Sequence, residues 1–327
     1  MLGLINLKPK IKFTEDQVEC PVKGCRQNAL RQRNSFRRAQ EFQCPKHGIY
    51  ISPSTIEYTD EQDNLLWKSE QDLALLAAIK TVKRESRMAR DNSEDAVTWN
   101  VFRYLETGNL LSGFLSNLTQ KDQGKTELIY WSYSQVTGTA WPGLDRAREE
   151  FGEHLQRSSE PDLIAVTDRA LFFIEAKLNA DNDTTPTNPK EHKKYLSGGG
   201  DWFRKVFLSE YEIVAIKAEK YELMRFWLLG SWLAAQAGLD FFLVNLVPSI
   251  RETDIETLFV PHIRLSDSRL FKRLAWEDIY SWVAGHSPES EEKCQWMSYF
   301  EQKTVGYDQH QNLQKAFFVR SSSSRED

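Results

Sequence analysis

The alternation of apolar and polar residues divides this 327-residue chain into recognisable pieces. Residues 65–90 place Leu66, Leu73, Leu76, Ala77 and Ile79 close to helical spacing, which predicts a helix. A second helix is expected to start near Asp91–Ser93 and to carry Ala96, Val97, Val101, Phe102 and Leu105. Residues 128–136 are strand-like in their aromatic and β-branched content, and 144–155 read as a charged helix. Residues 161–167 and 170–178 are short apolar runs split by Asp168-Arg169, the signature of a buried β-hairpin. The polar, Pro- and Gly-rich stretch 181–200 predicts a mobile loop. Beyond it come an apolar helix over 219–237, a buried strand over 240–247 and a short helix over 276–283. This order of elements predicts an α/β fold with a mixed central sheet flanked by helices.

Residues 1–19 read as an entry strand or loop, and 20–60 as a small Cys/His module with little aliphatic content. The expected organisation is therefore a module at 1–60, a larger domain at 61–320 and a disordered tail at 321–327. No stretch resembles a signal peptide, and the most apolar runs are shorter than the ~20 residues a membrane span needs. A cytoplasmic protein without membrane contact is expected. The chain carries 42 Lys+Arg against 47 Asp+Glu, a net charge of −5. That balance argues against coating nucleic acid by charge alone.

The cysteines change this picture. Three of the four lie between Cys20 and Cys44, too few for a disulfide scaffold and clustered as metal ligands are. Cys20-Pro-Val-Lys-Gly-Cys25 and Cys44-Pro-Lys-His47-Gly each set two soft ligands on a tight turn. The 18 residues between them can bring both turns to one tetrahedral zinc. Such a closed site is structural, and metal binding supplies folding energy that a small module lacks. Cys294 stands apart as an ordinary thiol. Over residues 20–50, Lys23, Arg26, Arg31, Arg33, Arg37, Arg38 and Lys46 face a single acid, Glu41, an excess of +6. The segment is either a solvated face or a surface that neutralises backbone phosphates.

Glu-x-Lys occurs at Glu175, Glu191, Glu291 and Glu301 and means nothing by itself. Only Glu175 and Lys177 end an apolar strand, where strand periodicity puts both on one face and Ala176 on the other. A two- or four-residue hairpin loop pairs residues whose numbers sum to 337, so Asp162 should face Glu175. Opposed acids are destabilising unless a cation lies between them. A divalent ion such as Mg²⁺ together with Lys177 would fill that role. Glu94 has two readings, a metal ligand or the third helical position of a capping box begun by Asp91. Glu160 reads as a solvated loop acid. Lys193, Lys194, Arg204 and Lys205 either hold phosphates or line a solvated loop. Gly198-Gly199-Gly200 lacks the Lys-Ser/Thr of a P-loop and reads as a hinge. Asn245 reads as a satisfied core amide.

Glu160-Pro161-Asp162, twelve residues and Glu175-Ala176-Lys177 together resemble the PD-(D/E)XK nuclease superfamily, the restriction-endonuclease-like fold. Residues 93–105 resemble that family's first core helix, and the Cys-Pro turns resemble a zinc ribbon. The likeness covers roughly half the chain and lacks the Gln-x-x-x-Tyr of the RecB-like branch. It implies Mg²⁺ or Mn²⁺ at Asp162, Glu175, Glu94 and the Ala176 carbonyl. Lys177 would orient the attacking water. The activity implied is a metal-dependent DNA endonuclease, with prokaryotic restriction or anti-phage defence as its setting. An RNase, or a catalytically silent module that binds nucleic acid or a partner, are the alternatives. A homodimer, or a partner ATPase or defence subunit, fits the class, since the chain has no Walker motif.

Overall fold

The computed structural model describes residues 1–32, 36–52, 54–83, 85–154, 159–188 and 192–320. Its strands are β1 (Gln17–Glu19), β2 (Asn28–Leu30), β3 (Tyr50–Ile51), β4 (Ile56–Glu57), β5 (Thr126–Tyr130), β6 (Tyr133–Ser134), β7 (Thr139–Ala140), β8 (Leu163–Thr167), β9 (Ala170–Ala176), β10 (Asp240–Val247), β11 (Arg269–Ala275), β12 (Thr304–Tyr307) and β13 (Leu313–Lys315). The helices are α1 (Glu70–Val82), α2 (Glu94–Thr107), α3 (Leu111–Thr119), α4 (Pro142–Glu150), α5 (Lys193–Val206), α6 (Tyr221–Ala237), α7 (Ile255–Phe259), α8 (Trp276–His286) and α9 (Glu291–Gln302). No helix among the described residues is long and apolar enough to cross a membrane.

The chain divides into two compact units. The first joins residues 1–70, 86–108 and the segment from Trp276 onward; the second joins 71–85 and 109–275. None of these limits falls near residue 60. Backbone pairing explains the first unit. Leu4 donates to the Gln302 carbonyl, Leu313 to Pro9 and Tyr307 to Ser54, so the C-terminal hairpin β12–β13 closes on the N-terminal segment. Gly306 has φ +94°, and a Cβ there would stand 1.7 Å from the Ser54 carbonyl oxygen. Only glycine allows that approach. Leu7, Ile11 and Val18 pack with Cys20, Cys25, Cys44, Ile49, Ile51 and Ile56, so the entry segment supplies apolar residues that 20–60 alone lacks.

The second unit is built on a seven-stranded mixed sheet in the order β11-β10-β9-β8-β5-β6-β7. β8 and β9 form the expected antiparallel hairpin, with Leu163 opposite Ile174 and Val166 opposite Leu171. β10 runs parallel to β9, and β11 parallel to β10. On one face Ile129, Ile164, Leu171, Phe173, Phe241, Leu243 and Phe271 pack with α4, α5, α6 and α7 residues in one apolar core. α6 approaches closely at Gly230, where a Cβ would lie 2.2 Å from the Phe241 ring.

Several elements differ from the sequence-based expectation. α1 is confined to Glu70–Val82 because Leu66 and Trp67 instead bond Asn100 of α2. The strand expected over 128–136 breaks at Trp131 and Ser132, both with positive φ, and turns into β6. α4 begins at Pro142, a residue pre-set for a first helical turn, and ends at Glu150. The loop expected over 181–200 is helical from Lys193, with a kink at Gly198–Asp201, at the glycine run. The proposed tail 321–327 lies outside the described residues, as does Arg33.

Candidate functional site

The first site belongs to the Cys/His segment. The loop of the β1–β2 hairpin carries Cys20 and Cys25, and the turn leading to β3 carries Cys44 and His47. Gly24 and Gly48 adopt positive φ, and the Gly48 and His47 amides return to the Cys44 carbonyl. The four ligand atoms lie within 4.8 Å of one another. His47 Nδ1 is 3.6 Å from Cys20 Sγ and 3.5 Å from Cys44 Sγ, and Cys25 Sγ is 3.9 Å from Cys44 Sγ. A tetrahedral zinc with ordinary bond lengths has edges of about 3.6 Å (S–N) and about 3.8 Å (S–S). The group is thus placed to hold a metal such as zinc. Burial pushes the Cys20 thiol well up, so a thiolate at that position depends on a cation. Burial also disfavours the Cys25 thiolate, but the Gln27 amide and the neighbouring thiols outweigh it and lower that thiol's pKa.

The basic residues beside this site are partly engaged within the fold. Arg38 bonds Glu57 at 2.5 Å and the Tyr58 carbonyl. Arg31 donates to the Thr14 carbonyl and stacks over Phe13. Arg37 is exposed, over the Phe42 ring. In the second unit, exposed Lys193 and half-buried Lys194, which lies over Tyr195, open α5 rather than a loop.

The second site is a polar row that caps the apolar face of the sheet. Val166, Leu171 and Phe241 form one row across β8, β9 and β10; Ile164, Phe173 and Leu243 form the next. One more step of the same register brings Asp162 beside Glu175, and Glu175 pairs with Asn245, which pairs with Arg273. The expected sum of 337 holds throughout the hairpin. Each carboxylate then acquires a different environment.

Asp162 Oδ1 accepts from Trp131 Nε1 at 3.1 Å, and Oδ2 accepts from the Ala176 amide at 2.9 Å. The ammonium of Lys83 stands over the same Trp131 ring. Glu175 is 3 % exposed. Its Oε1 accepts from Lys177 Nζ at 2.5 Å, while Oε2 is buried without a hydrogen-bond partner. Burial pushes the Glu175 carboxyl well above the usual range, with Lys177 opposing and Asp162 and Glu222 reinforcing the shift. Burial also disfavours the Lys177 ammonium, yet Glu175, Asp162 and Glu222 outweigh it and raise its pKa.

Residues that the sequence did not single out complete the site. Glu222, in the first turn of α6, has a carboxylate oxygen 3.8 Å from Lys177 Nζ. Glu252 accepts from the amide nitrogens of both Asn182 and Asn245, and Asn182 donates to Asn245 Oδ1. Asn245 is therefore a satisfied amide, as expected, held beside Glu175. Only their folding onto the strand ends relates Glu222, Asn182 and Glu252 to the trio; no local spacing announces them.

Two expectations for nearby acids change. Glu160 is not a solvated loop acid but is half-buried 3.6 Å from Arg148 Nη2. Glu94 is the first residue of α2, not its third helical position, because Ser93 is the cap and accepts from Ala96 N. Asp91 is occupied elsewhere, by Lys303 and Thr304. Glu94 belongs to the first unit, whereas Asp162, Glu175, Ala176 and Lys177 belong to the second. No family model, curated protein or solved structure matches this chain, so its chemistry is read from the groups described above.

Proposed function

We propose that the chain is a divalent-metal-dependent nuclease with a restriction-endonuclease-like core, acting on phosphodiester bonds of DNA. One observation carries this reading: the buried Glu175 Oε2 lacks a hydrogen-bond partner beside Asp162 and Lys177. A buried acceptor without a donor is costly, and a cation or a proton would satisfy it. Asp162 and Glu175, with the Ala176 carbonyl, would hold Mg²⁺ or Mn²⁺. Asp162 is held in place for this role by Trp131 Nε1 and the Ala176 amide. The metal when bound supplies a more acidic water and neutralises phosphate charge. Lys177 orients the attacking water and stabilises charge developing on the phosphate oxygens. Trp131 and the Ala176 amide fix Asp162 so that little reorganisation accompanies reaction.

The test is cleavage of duplex, single-stranded and branched DNA, and of RNA, by purified chain with Mg²⁺ or Mn²⁺. Cutting that Asp162→Ala or Lys177→Ala abolishes is expected. Its absence on every substrate overturns the reading. A binding module without cleavage is the second reading, favoured by the protein donors that already engage both Asp162 oxygens. Nucleic-acid affinity unchanged in both variants, without cutting by wild type, would select it.

A further inference from the structure

Lys177 lies between carboxylates from two different elements. Its ammonium is 2.5 Å from Glu175 Oε1, beside the end of β9, and 3.8 Å from Glu222 Oε2 on α6. Glu222 is not a loosely placed surface acid. The segment that leaves β9 through Lys177 is clamped to the start of α6 a few residues later. Thr184 N donates to the Glu219 carbonyl, and Tyr221 N donates to the Thr184 carbonyl. Glu222 N donates to Thr184 Oγ1, and Lys220 pairs with Asp183. The same piece of chain therefore carries the lysine and fixes the second acid. An acid in the first turn of a 17-residue helix is also favoured by the helix dipole.

We propose that Glu222 is a positioning residue that takes over the Lys177 ammonium when a divalent cation occupies Glu175. This role rests on the nuclease reading above. In the structure the ammonium sits on one Glu175 oxygen, and a cation on that carboxylate repels it. A buried lysine displaced without a counter-charge is strongly disfavoured. Glu222 supplies the counter-charge after a shift of roughly an ångström, which turns the present separation into a hydrogen bond. The lysine keeps its charge and stays at the site, and Glu175 is released to the cation. Glu222 thus acts on cation affinity through Lys177, not as a ligand.

The experiment is calorimetric titration of Mn²⁺ into the zinc-loaded full chain, for wild type, Asp162→Ala, Glu222→Gln, Lys177→Met and the Glu222→Gln/Lys177→Met double variant. Thermal melts establish that each is folded. Glu222→Gln should weaken Mn²⁺ binding about tenfold when Lys177 is present, and less than about twofold in the Lys177→Met background. An equal loss in both backgrounds makes Glu222 a direct ligand and overturns the proposal. So does wild-type Mn²⁺ uptake that Asp162→Ala removes but Glu222→Gln leaves unchanged. No wild-type uptake at all overturns the underlying cation site as well, an outcome distinct from the other two.

Discussion

The side chain of Asp162 holds the backbone of Ala176: Oδ2 accepts the Ala176 amide at 2.9 Å, one residue beyond the opposed Glu175. The acid proposed to bind metal is therefore also a structural acceptor, with Trp131 Nε1 on its other oxygen. Asp162→Ala strands both donors and should cost about 2–4 kcal/mol in addition to abolishing cleavage. Asp162→Asn keeps one acceptor and should cost about half as much while still abolishing cleavage. Urea denaturation beside a cleavage assay separates the two effects.

The cysteine set predicts a thiol count. Cys294 is exposed, whereas Cys20, Cys25 and Cys44 are buried within the candidate metal site. Zinc-loaded protein should show one thiol reactive toward an aromatic disulfide and one zinc by elemental analysis. After chelation all four should react, with a lowered melting temperature, because metal affinity in such sites is folding free energy. His47→Ala should reproduce the loss without chelator.

A buried ion pair sets a third expectation. Arg225 makes a two-pronged contact with Glu153, at 2.7 and 2.6 Å, and Tyr195 donates to the same carboxylate. Burial disfavours the Arg225 charge, but Glu153 more than offsets it and raises its pKa. Glu153→Gln removes the counter-charge and should destabilise the chain by about 3–5 kcal/mol. Denaturant midpoints would measure this, and an unchanged midpoint would contradict the account.

Cation uptake at Glu175 should depend on pH with a definite sign. Its carboxyl is raised above the ordinary value of 4.5, chiefly by burial. Between that value and the folded pKa the native state holds a proton that the unfolded state has released. Stability of the metal-free chain from this group therefore falls as pH rises through that window. A cation displaces the proton, so Mn²⁺ affinity should rise over the same window, with proton release. Titrations at about pH 5.5 and about pH 7.5, in buffers of different ionisation enthalpy, measure both effects. Glu175→Gln should remove the cation dependence.

The legible parts of this molecule are those whose cause is local. Two apolar runs around Asp168-Arg169 specify a hairpin, and its register follows from loop length, so the Asp162–Glu175 opposition can be counted out. Cys-Pro turns likewise reveal their ligands by spacing. What escaped depends on distant segments. Arg269–Ala275 carries Arg269, Lys272 and Arg273 among its apolar residues and conceals an edge strand of the sheet. Leu111–Thr119 is short and half polar, so its pattern barely exceeds a loop's. Glu222 and Glu252 look like ordinary surface acids until the helix and loop that bear them close over Lys177 and Asn245. The make-up of the first unit is hidden for the same reason, since the pairing of residues 3–10 with 302–313 leaves no local trace.

The closure of β12–β13 over the N-terminal segment has a consequence for the order of events at the ribosome. Elongation at about 5–20 residues per second makes Cys20–His47 well before the strands at 304–315. All of the sheet-bearing unit is synthesised between them. That unit can finish folding while the first still lacks the strands at 304–315. Throughout this interval the four ligands are already made while the strands that pair with residues 9–10 and Ser54 are not.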